Sequence, residues 1–186
     1  MQARTLKAPE SIDTARLLLR RPMRSDAQAV FHRYASDREV TRYLSWPTHR
    51  SIADTLAFIA LSDDEWQRWP AGPYLVLARE NGLPGSLLGS TGLFYKSPAR
   101  AVTGYVFARD AWGRGFATEA LQTMVDLARQ TGVERLEAIC HADHAPSARV
   151  LEKCGFAQEE VRREHFVFPN LKPQNKSDVF SYVRCF

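Results

Sequence analysis

The stretch that decides the fold is a glycine-punctuated segment, Ala111-Trp112-Gly113-Arg114-Gly115-Phe116-Ala117-Thr118-Glu119-Ala120. The apolar run Tyr105–Phe107 precedes it, and an amphipathic run that continues to Gln130 follows it. This order predicts a strand, a tight turn and a helix. The first N–H groups of a helix lack internal partners and lie at the positive end of its dipole, so they favour a phosphate or another anion. We therefore predict a site for a phosphate-bearing cofactor.

The composition indicates one globular domain. The chain has 186 residues, of which 45% are hydrophobic and 11% aromatic, enough to build a sizeable core. No repeat, low-complexity tract or Pro/Gly/Ser-rich linker divides it. We predict a single domain over residues 1–186, with residues 1–12 as a flexible N-terminal extension.

Charge and cysteine usage limit the classes of protein. The net charge of +4 fits an anionic ligand or work close to the ribosome, and it is also common in ordinary soluble proteins. Because the chain has no basic stripe with interleaved aromatics, direct nucleic-acid binding is not expected. The three cysteines match no disulfide or metal spacing, and we expect no metal. The run Leu17–Leu19 is too short for a signal peptide, and no stretch approaches the ~18 apolar residues of a membrane span. These features predict a cytoplasmic protein that does not enter a membrane.

The apolar periodicity predicts the remaining elements. We expect a hairpin turn at Asn81-Gly82, because both residues accept positive φ angles. Strands are predicted at 16–21, 74–80, 87–95, 102–107, 136–140, 161–168 and 179–186, and helices at 26–36, 51–69, 116–130 and 147–153. This order indicates an α+β domain with a mixed, mostly antiparallel central sheet flanked by helices, and differs from a doubly wound Rossmann pattern.

Four blocks in this chain resemble those of a known family. They are Thr14–Arg20, Trp112–Ala120, Ser147–Phe156 and Asp178–Tyr182, and together they extend over nearly the whole chain. Their order and predicted structural context are similar to the GNAT superfamily of N-acetyltransferases, and within it to the ribosomal-protein N-terminal acetyltransferase (Rim-type) branch. The resemblance implies the GNAT fold and acetyl-CoA as the acetyl donor.

The cofactor motif of that superfamily is Gln/Arg-x-x-Gly-x-Gly/Ala, and here Trp112 stands in the first place while Gly115 and Ala117 match. The resemblance implies that the pyrophosphate of CoA lies against the N–H groups of Gly113, Arg114, Gly115, Phe116, Ala117 and Thr118. It also implies that Tyr105, Val106 and Phe107 splay from the neighbouring strand and pair with the pantetheine arm. An N–H of Val106 or Phe107 would then polarise the thioester carbonyl.

The family also has an Asn-x-x-Ser motif, in which Asn binds pantetheine and Ser lies near the thiol. His144 and Ser147 occupy these two places, so the serine is kept and the asparagine is replaced. Many members carry a tyrosine as general acid where this chain has Leu151. Protonation of the departing thiolate therefore falls to Ser147, to water or to the ammonium product.

The resemblance implies direct attack of a free amine on acetyl-CoA, without a covalent enzyme intermediate. The acceptor is a protein N-terminus, such as that of a ribosomal protein, or a small-molecule amine; the oligomeric state, a homodimer included, stays open. The sequence does not identify the base. Glu65 is named as a candidate, and the others are Asp64, His49, His32 and Glu39.

Other interpretations stand beside these. The replaced asparagine, the missing tyrosine and the unidentified base suggest an alternative, a catalytically silent acyl-CoA-binding or sensing module. Glu119 lies in a first helical turn, where a structural role is favoured because a carboxylate meets the helix dipole. Tyr43, Trp46 and Trp66 are interpreted as core aromatics rather than as walls of an acceptor pocket.

Overall fold

The computed structural model describes residues 6–186. Its strands are β1 (Ser11–Asp13), β2 (Leu17–Arg20), β3 (Pro73–Glu80), β4 (Leu83–Ser97), β5 (Arg100–Phe107), β6 (Arg135–His141), β7 (Ala157–Val167) and β8 (Lys176–Cys185). Its helices are α1 (Ala27–Val30), which continues as a π-turn over Phe31–Ala35, α2 (Ile52–Arg68), α3 (Phe116–Gln130) and α4 (Ala145–Lys153). No helix in this part of the chain is both long and apolar enough to span a membrane.

The eight strands form one sheet in the order β1-β2-β3-β4-β5-β6-β8-β7. Neighbouring strands are antiparallel except β5 and β6, which are parallel. Asn81 and Gly82 both have positive φ angles at the turn between β3 and β4, as predicted for the hairpin. The α+β architecture with a mixed, mostly antiparallel sheet is therefore confirmed.

The sheet separates two apolar layers, and alternate residues of β3 contribute to each. Tyr74 and Val76 belong to the cluster that α3 and α4 cover, whereas Leu75 and Leu77 pack with Val30 of α1. Because strand side chains alternate between faces, a strand in the middle of the sheet supplies both layers. The candidate site lies where β5 and β6 cease to pair.

The N-terminal segment is more ordered than the expected extension over residues 1–12. The N–H of Ala8 donates to the Pro70 carbonyl at 2.8 Å, and the Tyr74 hydroxyl donates to the Pro9 carbonyl at 2.6 Å. Ser11–Asp13 then pairs with β2 as an edge strand. Residues 6–12 thus pack on the domain, because their backbone groups find partners there; residues 1–5 lie outside the described part of the chain.

The pairing of β5 with β6 is short. Only three residue pairs are in register, those joining Arg100–Val102 to Arg135–Glu137. Beyond them residues 103–107 of β5 and 138–141 of β6 are not paired with each other, and we call the gap between these two strand edges the cleft. The sheet is therefore forked at its centre.

Glu137 anchors the closed end of this fork. Its carboxylate accepts hydrogen bonds from Lys96 on β4 at 2.9 Å, from Arg100 on β5 at 2.6 Å and from Arg135 on β6 at 2.8 Å. Burial raises the pKa of this carboxyl, but the hydrogen bonds from Arg135, Lys96 and Arg100 outweigh it and lower the pKa to about 2. The ionised carboxylate therefore ties three strands together where β5 and β6 separate.

Glu137→Gln should destabilise the domain by about 1–2 kcal/mol at pH 7, because it removes charge-assisted hydrogen bonds that are partly exposed to solvent. The folded pKa lies below the usual value of 4.5, so the stabilisation is present above pH 4.5 and is lost as pH falls toward 2. Urea unfolding from pH 7 to pH 2 should show a weaker pH dependence in the variant. The exposed Glu134→Gln is the control, and an equal loss in both variants would contradict the assignment.

Candidate active site

The backbone of β5 presents alternate residues to the cleft. The N–H of Ala108 donates to the Leu88 carbonyl of β4 at 2.8 Å, and the indole N–H of Trp112 donates to the Phe107 carbonyl at 2.7 Å. In an antiparallel strand the N–H and C=O of one residue point to the same side, and those of the next residue point to the opposite side. The backbone groups of Phe107 and Tyr105 therefore point away from β4. Their N–H groups therefore face the cleft.

Val106 does not belong to this cleft edge, which corrects the sequence-based expectation. It lies opposite Ser90 in the ladder with β4, and the same alternation directs its N–H to that strand. Its side chain is buried in the cluster that contains Val30. Of the two N–H groups considered as donors to a thioester carbonyl, only that of Phe107 is presented to the cleft.

The glycine turn opens α3 with a row of unpartnered donors. Gly113 and Gly115 have φ angles of 72° and 80°, which favour glycine because a Cβ is strained there. The first helical N–H to donate is that of Glu119, to the Gly115 carbonyl at 3.1 Å. Within residues 6–186, none of the six N–H groups of Gly113–Thr118 donates to a protein acceptor. A Cβ at Gly113 would meet no atom within 4 Å, so the turn is open to an anion.

Ionic contacts hold this turn from the side of β2. The Arg16 guanidinium donates to the Arg114 carbonyl at 2.9 Å and to the Glu119 carboxylate at 2.7 Å, and lies 4.8 Å from the centre of the Phe116 ring. Thr14 also donates to Glu119, at 2.6 Å. Burial raises the pKa of Glu119, but these hydrogen bonds outweigh it and the pKa is lowered. Glu119 therefore positions the turn, in agreement with the structural role expected for it.

Tyr105 and Ser147 meet across the cleft. The Tyr105 hydroxyl lies 3.0 Å from Ser147 Oγ and 3.3 Å from the Ser147 carbonyl oxygen. Burial raises the pKa of Tyr105, although its hydrogen bond with Ser147 lowers it in part, so the phenol remains protonated at neutral pH. Ser147, in the first turn of α4, is thereby held over the free edge of β5. Sequence reasoning missed this contact, because 42 residues separate the two side chains.

His144 lies one turn earlier, at the N-cap of α4, and its ring stacks on Tyr43. The ring centres are 4.6 Å apart with an angle of 21° between the planes. Tyr43 also contacts His141, the last residue of β6, at 5.0 Å. Tyr43 was expected in the core, but it is half-buried at the open end of the cleft, because the loop before α2 crosses there. By contrast, Trp66 is buried in the core as expected, and Trp46 is half-buried against His49.

Asn170 joins two loops beside this aromatic group. Its side-chain N–H groups donate to the carbonyls of Thr41 and Trp46, both at 2.8 Å. Its Oδ1 accepts from the N–H of Thr48 at 2.7 Å and from the Thr48 hydroxyl at 3.0 Å. The loop between β7 and β8 thus holds residues 41–48, which include Tyr43, in a defined conformation.

Glu65, the named candidate base, lies toward the closed end of the fork. Its carbonyl accepts the N–H of Trp69 at 2.9 Å, and Trp69 stacks on Tyr95, whose partner on β5 is Ala101. Phe107 lies at the opposite end of β5. The structure therefore does not bring Glu65 to the groups that face the open cleft.

The other four candidate bases are also not brought to Ser147. His49 Nδ1 lies 2.8 Å from the Thr55 hydroxyl, and Glu39 forms an ion pair with Arg109 at 2.6 Å. His32 and Asp64 are exposed. Over residues 6–186, no group of three or more His, Cys, Asp or Glu side chains is arranged to hold a metal.

A family model also matches most of this chain. The model described as acetyltransferase (GNAT) domain matches residues 16–157. The chain belongs to the GNAT acetyltransferase family. It is an acetyl-CoA-dependent N-acetyltransferase.

Relatives of this GNAT protein are similar to it in sequence or in fold along most of its length. It is 29% identical over 176 residues to the uncharacterised N-acetyltransferase YoaA of Bacillus subtilis (strain 168), covering 93% of this chain and 96% of YoaA. Its fold is similar to that of the ribosomal L7/L12 alpha-N-protein acetyltransferase RimL in complex with coenzyme A, with a TM-score of 0.82, 22% identity and coverage of 95% and 98%. The microcin C7 self-immunity acetyltransferase MccE, in complex with acetyl-CoA and AMP, also has a TM-score of 0.82, with 18% identity and coverage of 97% and 98%.

Asn170→Ala should lower the free energy of unfolding by about 1–3 kcal/mol, because it leaves the partners of the amide in the two loops without their hydrogen bonds. Urea unfolding measures the change. Asn175→Ala, an exposed asparagine in the same loop, should change stability by no more than about 0.5 kcal/mol. Equal effects of the two substitutions would show that the amide does not hold the loops together.

Proposed function

We propose that the open fork between β5 and β6 is the acetyl-CoA site. The six N–H groups of Gly113–Thr118 would bind the pyrophosphate, and the cleft-facing edge of Tyr105 and Phe107 would pair with the pantetheine arm. This proposal rests on the observation that the unpaired edge of β5 ends beside the open turn at Gly113, so that one extended ligand can contact both the strand edge and the turn. Backbone donors suit these two parts of CoA, since one is anionic and the other carries amides.

The same arrangement supports direct transfer to an amine. The N–H of Phe107 is directed to polarise the thioester carbonyl and to stabilise the negative charge that develops on its oxygen. Ser147, oriented by the Tyr105 hydroxyl at 3.0 Å, would donate a proton to the departing sulfur. Neither Cys140 nor Cys154 is needed as a nucleophile, and burial raises the pKa of both thiols to about 11.

We propose a protein N-terminal amine, such as that of a ribosomal protein, as the acceptor. The support is the likeness of the fold to RimL together with the Rim-type sequence blocks, including Trp112 in the cofactor turn. A small-molecule amine is the second candidate, because MccE, which was determined with AMP, is equally similar in fold. The fold and the donor site are common to both classes, so the acceptor has to be identified by activity.

Gly113→Asn should raise the Kd for CoA at least about tenfold, a loss of about 1.4 kcal/mol, because a side chain would enter the open turn. Asparagine tolerates positive φ, which keeps backbone strain small. Gly132→Asn is the matched control: Gly132 has a φ of 82° and open surroundings, and follows the other end of the same helix. Isothermal titration calorimetry measures both, and equal affinity of the two variants for CoA would contradict the pyrophosphate assignment.

An acetyl-transfer screen tests the acceptor. The wild-type protein with acetyl-CoA is offered peptides with free N-termini, the same peptides with blocked N-termini, polyamines, aminoglycosides and amino acids, and release of free CoA is measured. We expect release with free but not with blocked peptide N-termini. Release only with small amines would replace the first candidate by the second, and acetyl-CoA binding without release in any arm would indicate a silent binding module.

A further inference from the structure

The imidazole of His144 is the basic side chain that the fold brings to the open end of the cleft. Ser147 is fixed over β5 by its contact with Tyr105, and the N–H of Ser147 donates to the His144 carbonyl at 3.0 Å. His144 thus begins the helical turn that ends at Ser147. It also follows His141, with which β6 ends, by only three residues. Its ring stacks on Tyr43, which also contacts His141, so the side chain lies near the end of β6 and beside the turn that carries Ser147.

The surroundings leave the nitrogens of His144 available. Tyr43 covers a face of the ring by stacking and does not block the ring edge, where the nitrogens lie. Neither ring nitrogen of His144 has a hydrogen-bond partner in residues 6–186. The neighbouring His141 differs, because its Nδ1 accepts the N–H of Asp143 at 3.1 Å and its ring is buried against Phe168. Of the two histidines, His144 is the one with both ring nitrogens unpaired among the described residues, whereas Nδ1 of His141 has a partner.

From this placement we infer that His144 is the general base that removes the proton from the acceptor ammonium. This inference rests on the proposed amine acetylation. It differs from the sequence-based expectation, in which His144 stood for an asparagine that binds pantetheine. Of the five candidate bases chosen from sequence, Glu65, His49 and Glu39 have their contacts elsewhere, and no contact joins His32 or Asp64 to Ser147 in the described residues. His144 was assigned from sequence only to the cofactor.

The proton and bond balance is complete without another reactant. The ammonium group of the acceptor gives one proton to the imidazole, and the freed lone pair forms a C–N bond to the thioester carbonyl carbon. The C–S bond breaks with its electron pair on sulfur, and the second proton of the amine reaches the sulfur through the Ser147 hydroxyl. The products are the acetamide and CoA thiol, and the imidazolium releases its proton to solvent.

The charge state of His144 suits this role. Burial lowers its pKa, and the proximity of His141 lowers it further. The groups around the pair are Tyr43 and Arg42 on the loop before α2, Asp143 before α4, Lys172 on the loop after β7 and Asp178 on β8. Arg42 and Lys172 lower the pKa of His141, and the two aspartates raise it, but burial outweighs the aspartates. With a pKa below 6.5, His144 is a neutral imidazole at pH 7 and able to accept a proton.

The test compares His144→Asn with His165→Asn, an exposed histidine on β7. Asparagine is the residue that the GNAT motif has at the position of His144, so acetyl-CoA affinity should be retained within about twofold. At pH 7, kcat/KM for an N-terminal amine should fall about tenfold in His144→Asn, because only about a tenth of an amine with a pKa of about 8 is unprotonated there, and should remain unchanged in His165→Asn. Calorimetry with CoA and steady-state CoA release supply the two measurements.

The pH profile separates a base from a merely structural residue. In the wild type, kcat/KM should fall only below pH 6.5, as His144 becomes protonated. In His144→Asn the fall should begin near the pKa of the acceptor amine itself, about 8 for an N-terminal amine, because only the free amine can then react. An NMR titration of the wild type without substrate should show a lowered pKa for the His144 imidazole. Its signal is identified as the one that is absent in His144→Asn.

Each outcome decides the assignment. Unchanged kcat/KM and an unchanged acidic limb in His144→Asn would overturn the inference while leaving the acetyltransfer proposal intact. A loss of acetyl-CoA affinity with an unchanged pH profile would return His144 to a cofactor contact. If the wild type released no CoA with any amine, the proposed function itself would fail, and that result is distinct because it does not involve the variant.

Discussion

The separation of β5 from β6 is the constraint on which the rest of this structure depends. Buried backbone N–H and C=O groups need partners, and a strand in the middle of a sheet normally finds them on both sides. Here the ladder stops after three residue pairs, so the far part of β5 has a partner only in β4. The Glu137 ion-pair cluster closes one end of the fork, and at the other end the backbone groups of β5 that point away from β4 are the ones we propose to bind the ligand.

The elements around the fork are positioned by contacts between distant parts of the chain. Arg16 and Thr14 hold Glu119 at the start of α3, which keeps the glycine turn beside the end of β5. On the other side, Tyr105 reaches α4 through Ser147, and Asn170 holds the loop that carries Tyr43. In the proposed site, the acetyl-donor side would therefore be formed mainly by backbone groups and the acceptor side by side chains.

Features that depend on neighbouring residues could be predicted from sequence, whereas contacts between distant residues could not. The glycine turn, the helix after it and the mostly antiparallel sheet follow from local patterns, and the structure confirms them. Which N–H of β5 faces the cleft depends on the pairing with β4, so Val106 and Phe107 could not be distinguished in advance. The base could not be chosen either: Glu65 has a suitable carboxylate, but its helix ends at the closed end of the fork.

The sequence by itself determined the family blocks, the order of the elements and the glycine turn before α3, because each depends on residues that are close in the chain. Positive φ angles require glycine at 113 and 115, and apolar periodicity defines the strands and α3. Only the tertiary structure decided that Phe107 faces the cleft, that Tyr105 meets Ser147 and that His144 stands at the open end beside Tyr43. These relations arise from strand register and loop packing, which bring together residues tens of positions apart and leave no periodic signal in the sequence.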